Sequence, residues 1–237
     1  MTGDDVVSCP SYEKVAADPR KYARSVAIQH EQADSVRGKT VVQACEGSYV
    51  VSNRLPLPLT REEMDRVYAL PYQRTYHPSY EGQGGVPAIQ EVEFSITRNR
   101  GCFGGCNFCS LAFHQGRIVT ARSNSSVVAE AKQLIANPRF KGYIHDVGGP
   151  TANFTGPSCR RQQQQGNCVG RKCLAPEPCD HLEVTHQEFR ALLKELRELN
   201  GVKKVFVRSG IRYDYVMADP DKRFLSELVR YHISGQL

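Results

Sequence analysis

From residue 91 onward, the apolar residues of this 237-residue chain alternate between the two-residue period of a strand and the 3.6-residue period of a helix. This order predicts a parallel α/β fold, because a parallel strand needs a crossover connection before the next strand begins. In such folds, function lies in the loops after the carboxyl ends of the strands. The predicted strands and the helices that follow them cover residues 91–97, 127–135, 143–147, 185–199, 205–207 and 219–229.

Each of the three predicted helices has an apolar face that should be buried. This face includes Val127, Ala131 and Leu134 in the first helix, Leu192 and Leu196 in the second, and Val229 in the third. Thr185 begins a capping-box sequence at the start of the second helix.

Residues 1–90 precede the alternation and are expected to form an irregular N-terminal extension or cap. Pro19 predicts the first turn of a helix. Residues 40–53 predict a β-hairpin, and Thr60 begins a capping-box sequence at the start of another helix. The sequence therefore predicts two regions, the cap at 1–90 and the α/β part at 91–237.

Nine cysteines, most of them clustered, are the most informative feature of the composition. The acidic N-terminus lacks the apolar core of a secretory signal, and no apolar run is long enough to span a membrane. A cytoplasmic location is therefore expected, where thiols stay reduced and grouped cysteines favour metal or redox chemistry over disulfides. The net charge of +6 is spread along the chain, as in an ordinary solvated surface, and leaves nucleic acid open as a partner.

The first cysteine group follows the first predicted strand, where Cys102, Cys106 and Cys109 have the spacing C-x3-C-x2-C. Three thiolates within eight residues can converge on one inorganic centre, and soft thiolates favour an iron–sulfur cluster or zinc. A closed zinc site usually takes four protein ligands, and this loop supplies three. A cubane cluster with three cysteines leaves one iron open for chemistry, and the aromatic ring of Phe108 can shield the cluster or contact a ligand.

With its surroundings, the cysteine loop resembles the YgiQ family of radical S-adenosylmethionine (radical SAM) proteins. The resemblance extends over nearly the whole chain and predicts a segment of a longer protein. The segments that carry it are 70–78, 84–87, 100–109, 114–117, 146–153, 208–214 and 234–237.

The resemblance implies a partial (β/α)6 barrel of the radical SAM type in residues 91–237. It implies that the three loop cysteines ligate a [4Fe-4S] cluster whose fourth iron binds S-adenosylmethionine. Phe108 would lie near the adenine, and Gly148 and Gly149 would line the methionine amino group. Pro150-Thr151 replace the acidic residue usual after this Gly-Gly pair, so the polar contact there is left open.

The same resemblance implies an enzyme that receives one electron, cleaves S-adenosylmethionine reductively and abstracts hydrogen from a substrate that the sequence does not identify. The cofactors perform this chemistry, and the protein positions them and excludes water. The rival hypothesis is a non-catalytic module that binds an iron–sulfur cluster or zinc and docks nucleic acid. An incomplete barrel is also expected to expose sheet edges and to reduce solubility or favour association.

A second cysteine group lies in a Cys-rich insertion predicted at residues 153–184. It contains Cys159, Cys168, Cys173 and Cys179, and His181 follows closely. Four thiols within about twenty residues indicate a four-thiolate zinc site or a second iron–sulfur cluster. The intervals between them match no common zinc knuckle, so an ordered loop with reduced thiols is an equal alternative.

Overall fold

The computed structural model describes residues 5–234 as a mixed α/β structure with small sheets. The described strands are β1 Val6–Ser8, β2 Thr40–Cys45, β3 Ser48–Ser52, β4 Ser95–Thr97, β5 Asn99–Arg100, β6 Thr120–Ala121, β7 Tyr143–Ile144, β8 Asp146–Gly148 and β9 Lys204–Val205. The described α-helices are α1 Tyr12–Ala17, α2 Pro19–Gln32, α3 Arg61–Tyr68, α4 Ile89–Val92, α5 Leu111–Gln115, α6 Asn124–Ile135, α7 Arg160–Gln165, α8 Gln187–Glu198, α9 Tyr213–Ala218 and α10 Arg223–Tyr231. A 3-10 helix covers Pro78–Gln83.

The chain divides into two compact units, each assembled from three separate stretches of sequence. The first unit contains residues 1–58, 101–119 and 157–183. The second contains residues 59–100, 120–156 and 184–237. The two cysteine groups therefore belong to the first unit, and the predicted parallel strands belong to the second.

In the first unit, β2 lies between β1, which pairs with it in parallel, and β3, which pairs antiparallel. The predicted hairpin is confirmed. Glu46 and Gly47 both have positive φ, at 45° and 79°, as the two central residues of a type I′ turn require. Helix α2 begins at Pro19 as predicted, and the Asp18 carboxylate caps it by accepting from the Arg20 amide.

In the second unit, β4 pairs in parallel with β8, and β7 pairs in parallel with β9. The predicted order of parallel strands and helices is confirmed, since these strands alternate with α6, α8 and α10 along the chain. The short antiparallel pair of β5 and β6 lies next to them in sequence. The described strands do not close a barrel.

The hydrophobic core of the second unit consists of apolar side chains from these strands and helices. Val127, Ala131 and Leu134 on α6 and Leu192 and Leu196 on α8 are buried, which confirms their predicted helical faces.

Three local predictions for this unit were wrong. The strand predicted at 91–97 begins only at Ser95, because the neighbouring chain offers hydrogen bonds only from Phe94 onward, and α4 occupies 89–92. The capping box at Thr185 does not form, since its hydroxyl accepts from the Gln187 amide. Val229, predicted to face inward, is exposed.

None of the helices in residues 5–234 combines the length and the apolar character that crossing a membrane requires.

Candidate functional site

The first cysteine loop begins at a glycine that the local backbone requires. Gly101 has φ +81°, and a Cβ atom there would lie 2.3 Å from the carbonyl oxygen of Ile118. The next residue continues the close approach, because the Cys102 amide donates to the Gly116 carbonyl at 3.0 Å. The returning chain at 116–118 therefore fixes the start of the loop.

Within the loop, the three predicted ligands Cys102, Cys106 and Cys109 are all partly buried, and Phe103 between them is only 5% exposed. The Gly104 amide donates to the Cys102 Sγ at 3.5 Å, and the Cys109 amide donates to the Cys106 carbonyl at 3.2 Å. A buried aromatic side chain and backbone hydrogen bonds thus hold a short loop that carries three thiols. Hydrogen bonds to sulfur are among the features that set the reduction potential of a thiolate-bound cluster.

Phe108 has a different environment from Phe103. Its side chain is 93% exposed, so described residues pack little against it. The role predicted for Phe108, contact with the adenine, stays a prediction, and the exposed ring leaves its faces available to a ligand.

Positive charge lies close to the loop within the first unit. The Lys172 Nζ donates to the Asn107 Oδ1 at 2.5 Å, and its alkyl chain would contact a Cβ on Gly105 at 3.5 Å. Burial lowers the pKa of Arg117, and the charges of Asp34, Cys173 and Cys102 partly offset that effect. The pKa of His30 is lowered by burial and by the charges of Arg117 and Lys172. Lys172 and Arg117 therefore place positive charge beside the loop.

All four thiols of the second cysteine group line one cavity in the first unit, together with His181. Burial raises the pKa of the Cys173 thiol, and the charges of Cys159, Cys168 and Cys179 raise it further. Cys159, Cys168 and Cys179 are therefore close to Cys173 in space, although up to twenty positions separate members of this group in the sequence.

Gly148 and Gly149 lie in the second unit, at the carboxyl end of β8. A Cβ atom on Gly148 would lie 2.3 Å from the Ser209 Oγ and 3.0 Å from the Asp146 Oδ2. The Asp146 carboxylate accepts from the Arg208 and Ser209 amides at 2.8 and 3.1 Å. The ends of neighbouring parallel strands therefore meet here, as the strand order predicts.

Sequence reasoning missed Asn99, which contacts the second glycine. A Cβ atom on Gly149 would lie 2.4 Å from the Asn99 Oδ1. This oxygen is buried and has no hydrogen-bond partner among the described residues, whereas the Asn99 Nδ2 donates to the Thr151 carbonyl at 3.0 Å. The sequence did contain a signal for Asn99, because it lies two residues after β4, and polar residues at strand ends commonly face the ligand in α/β folds.

Arg98, next to Asn99, is fully buried, and its contacts account for the burial of a charged side chain. Its guanidinium donates to the Phe154 carbonyl at 3.0 Å and lies 4.6 Å from the centre of the Phe189 ring. Burial lowers its pKa to about 10. Arg98 therefore supports the packing behind the strand ends.

The donor set of the first loop fits an iron–sulfur cluster. Three cysteine thiols are the characteristic ligands of a cubane with one open iron, and glycines allow the tight loop. Residues 5–234 contain no set of three or more His, Cys, Asp or Glu side chains arranged to hold a single metal ion. A cubane binds each cysteine at a different iron, so its ligands need not converge on one point.

Comparison with known proteins finds two kinds of similarity, to a radical SAM family model and to UPF0313 proteins. The family model described as radical SAM N-terminal matches residues 1–95. A UPF0313 protein of Clostridium perfringens strain ATCC 13124 is 54% identical over 234 residues, which are 99% of this chain and 35% of that protein. A UPF0313 protein of Clostridium botulinum strain 657 is 52% identical over 233 residues, 98% of this chain and 36% of that protein.

The chain thus spans about a third of the length of the curated relatives it matches. Those relatives carry the UPF0313 name, and the finer assignment to the YgiQ family stays a prediction. The matched stretch covers 99% of this chain and therefore includes parts of both units. The chain is thus similar to UPF0313 proteins over nearly its whole length, and its residues 1–95 match the radical SAM N-terminal family model.

Proposed function

We propose that this chain is part of a radical SAM enzyme and that Cys102, Cys106 and Cys109 hold its [4Fe-4S] cluster. The observation that carries the proposal is a loop that presents three thiols between glycines, in a chain whose residues 1–95 match the radical SAM N-terminal family model. A closed structural zinc site fits the loop less well, because the loop has one ligand too few.

The cluster, when bound, supplies the electron that cleaves S-adenosylmethionine to a radical able to remove a substrate hydrogen. The three cysteines leave one coordination position open for that cofactor. The Gly104 amide hydrogen-bonds the Cys102 sulfur, and Arg117 and Lys172 supply positive charge beside an anionic set of ligands. Phe103, between the first two of these cysteines, is buried within the first unit and is only 5% exposed.

For S-adenosylmethionine, we assign Phe108 to the adenine and Gly148 and Gly149 to the methionine amino group. The unpaired Asn99 oxygen beside Gly149 supports this assignment, because an ammonium group is the donor that such an acceptor lacks. We also assign residues 91–237 to the first part of a (β/α)6 barrel, with residues 1–90 as its cap. The parallel pairs in the second unit support that assignment.

The proposal requires a one-electron reductant and a reducing compartment such as the cytoplasm, since exposed thiolate-bound clusters oxidise readily. The substrate and the activity of the whole protein are not specified by the present site. Nucleic acid stays open as a partner.

The test is metal and sulfide analysis of anaerobically purified chain, with a variant in which Cys102, Cys106 and Cys109 are replaced by Ala. We expect the variant to lose iron and acid-labile sulfide, and a Cys45→Ala control to retain both. The intact chain, reduced in the presence of S-adenosylmethionine, should release 5′-deoxyadenosine.

Zinc in place of iron, or iron unaffected by the triple replacement, would contradict the proposal. Either result would favour the non-catalytic metal-binding module instead. Iron and sulfide without 5′-deoxyadenosine would restrict the chain to cluster binding.

A further inference from the structure

We propose that a positively charged cavity in the first unit binds the phosphoryl group of a small-molecule ligand. The cavity has a volume of about 330 Å³, which is in the range usual for small-ligand sites. Residues from all three sequence stretches of the unit line it, and none of Cys102, Cys106 and Cys109 is among them. The inference therefore does not rest on the proposed function.

Cationic side chains outnumber anionic ones around this cavity. The four cations are Arg37, Arg117, Arg171 and Lys172, and the two carboxylates are Glu31 and Asp34. A cleft whose walls carry mainly one sign of charge concentrates ions of the opposite sign. The surplus of two positive charges matches a phosphate dianion better than a singly charged carboxylate.

Arg117 offers the most specific donor to such an anion. Its Nη2 donates to the His30 Nε2 and to the His30 carbonyl, the latter at 3.3 Å. Its Nε is buried and has no hydrogen-bond partner among the described residues. A guanidinium matches the spacing of phosphate oxygens and binds them through two parallel hydrogen bonds. Arg117 therefore retains donor capacity at the wall of a cationic cavity.

The positive charge of the cavity is not neutralised by the surrounding protein groups. Burial lowers the pKa of Arg117, and the charge of Asp34 offsets that effect only in part. Burial also lowers the pKa of His30, and the charges of Arg117 and Lys172 lower it further. A bound anion would relieve the repulsion that both groups experience.

Asp34 builds the wall of the cavity and has little capacity left to act as a counter-ion. Its Oδ1 accepts from the Val36 and Arg37 amides at 2.8 and 3.0 Å. Its Oδ2 accepts from the Asn167 amide at 2.6 Å and from the Asn167 Nδ2 at 3.1 Å. Burial alone would raise the pKa of Asp34, but the amides keep it below its usual value. These bonds join two distant stretches of the chain at the edge of the cavity.

The cavity lies beside the first cysteine loop. The Lys172 Nζ donates to the Oδ1 of Asn107, which lies within the loop, at 2.5 Å. Arg117 follows Gly116, whose carbonyl accepts from the Cys102 amide at 3.0 Å. Two of the four cations are thus tied to the loop or to the chain that fixes its start. A phosphorylated ligand in the cavity would lie next to that loop.

The test is calorimetric titration of the anaerobically purified chain with inorganic phosphate and, at the same ionic strength, with acetate. We expect one phosphate to bind per chain, and acetate to bind at least about tenfold more weakly. Arg117→Gln should weaken phosphate binding about tenfold or more, because it removes a charged hydrogen-bond donor. Arg171→Gln removes an exposed charge and should weaken binding about two- to fivefold.

Arg24→Gln is the matched control, because Arg24 is exposed on α2 and lies outside the cavity. It should keep the phosphate affinity of the parent chain. Arg171→Gln covers the case in which loss of the partly buried Arg117 prevents folding. Acetate that binds as tightly as phosphate, or phosphate affinity that is equal in Arg171→Gln and the parent, would overturn the proposal.

Iron and sulfide measured in the same preparations separate this proposal from the proposed function. The arginine variants should keep both, and the variant with Cys102, Cys106 and Cys109 replaced by Ala should lose both and still bind phosphate. A parent chain that contains iron and sulfide but binds no phosphate would overturn the phosphate site alone.

Discussion

Gly101 is the residue whose replacement should most directly disturb the first cysteine loop. Its φ of +81° and the 2.3 Å approach of the Ile118 carbonyl to the position of a Cβ atom exclude any side chain without rearrangement. We expect Gly101→Ala to cost about 1–3 kcal/mol of loop stability. Anaerobic reconstitution of the variant should yield less iron per chain.

Gly82→Ala is the matched control for Gly101→Ala, because its φ is not positive and nothing lies within 4 Å of a Cβ there. It should retain the iron content of the parent chain. Equal iron in both variants would show that the loop tolerates the change.

His232 predicts a pH dependence of folding in the second unit. Burial lowers its pKa, although the Val205 carbonyl, 2.9 Å from its Nδ1, acts in the opposite direction. The unfolded chain therefore binds the proton more readily, and stability is complete above the unfolded-state pKa of about 6.5 and falls as pH drops below it. The loss from this group has a slope of up to about 1.4 kcal/mol per pH unit.

Urea unfolding of His232→Gln, measured between about pH 7 and pH 5, should show a shallower loss of stability than the parent chain. The exposed residue His114 provides a control through His114→Gln, which should keep the parent slope. A slope unchanged in His232→Gln would contradict the assignment of this pH dependence to His232.

At the scale of elements, a buried ion pair joins α6 to the chain around β6. The Arg122 and Glu130 side chains are 1% and 5% exposed and contact each other directly. Arg122 also donates to the Thr97 carbonyl at 2.9 Å and lies 4.3 Å from the centre of the Tyr68 ring. The pair therefore links a helix, two strands and α3.

Glu130→Ala should destabilise the second unit by about 3–5 kcal/mol, because it leaves the Arg122 guanidinium buried without its carboxylate. Thermal or urea unfolding measures the change. Glu195→Ala, at an exposed position on α8, should stay within about 0.5 kcal/mol of the parent. A similar small effect for Glu130→Ala would mean that water or Arg122 rearrangement compensates.

The elements also show which features the sequence can predict. Helices α2, α3, α6 and α8 follow from apolar periodicity and local caps, which depend on neighbouring residues alone. The late start of β4 cannot be predicted in this way, because it depends on hydrogen bonds to a segment about fifty residues further along the sequence. The Thr185 capping box fails for a similar reason: the His186 amide and ring both bind the distant Asp219.

The same distinction between local and long-range features applies to the candidate site. The spacing of Cys102, Cys106 and Cys109 is local and was readable from the sequence. The shared cavity of the second cysteine group and the unpaired Asn99 oxygen depend on the folded chain, so the sequence left both open.

At the scale of the whole molecule, stability should differ between the two units. The contiguous apolar core lies within the second unit, whereas both cysteine segments lie in the first. In hydrogen exchange, we expect amides of α6 and α8 to exchange most slowly and amides of residues 101–109 and 157–183 to exchange fastest in metal-free chain.

Iron loading should slow exchange in residues 101–109 and leave α6 and α8 unchanged. Mass spectrometry of peptides from the loaded and metal-free chain would measure this. Uniform protection of both units without metal would contradict the expected difference.

The interleaved order of the two units also has a consequence for synthesis on the ribosome. The first unit needs the stretches that end at residues 58, 119 and 183, so its early part waits while about 125 further residues are made. At 5–20 residues per second, that wait is roughly 6–25 s. During this interval the nascent hairpin of β2 and β3, with Tyr49 and Val50 exposed even in the folded chain, depends on chaperones or on fast translation to avoid pairing with other chains.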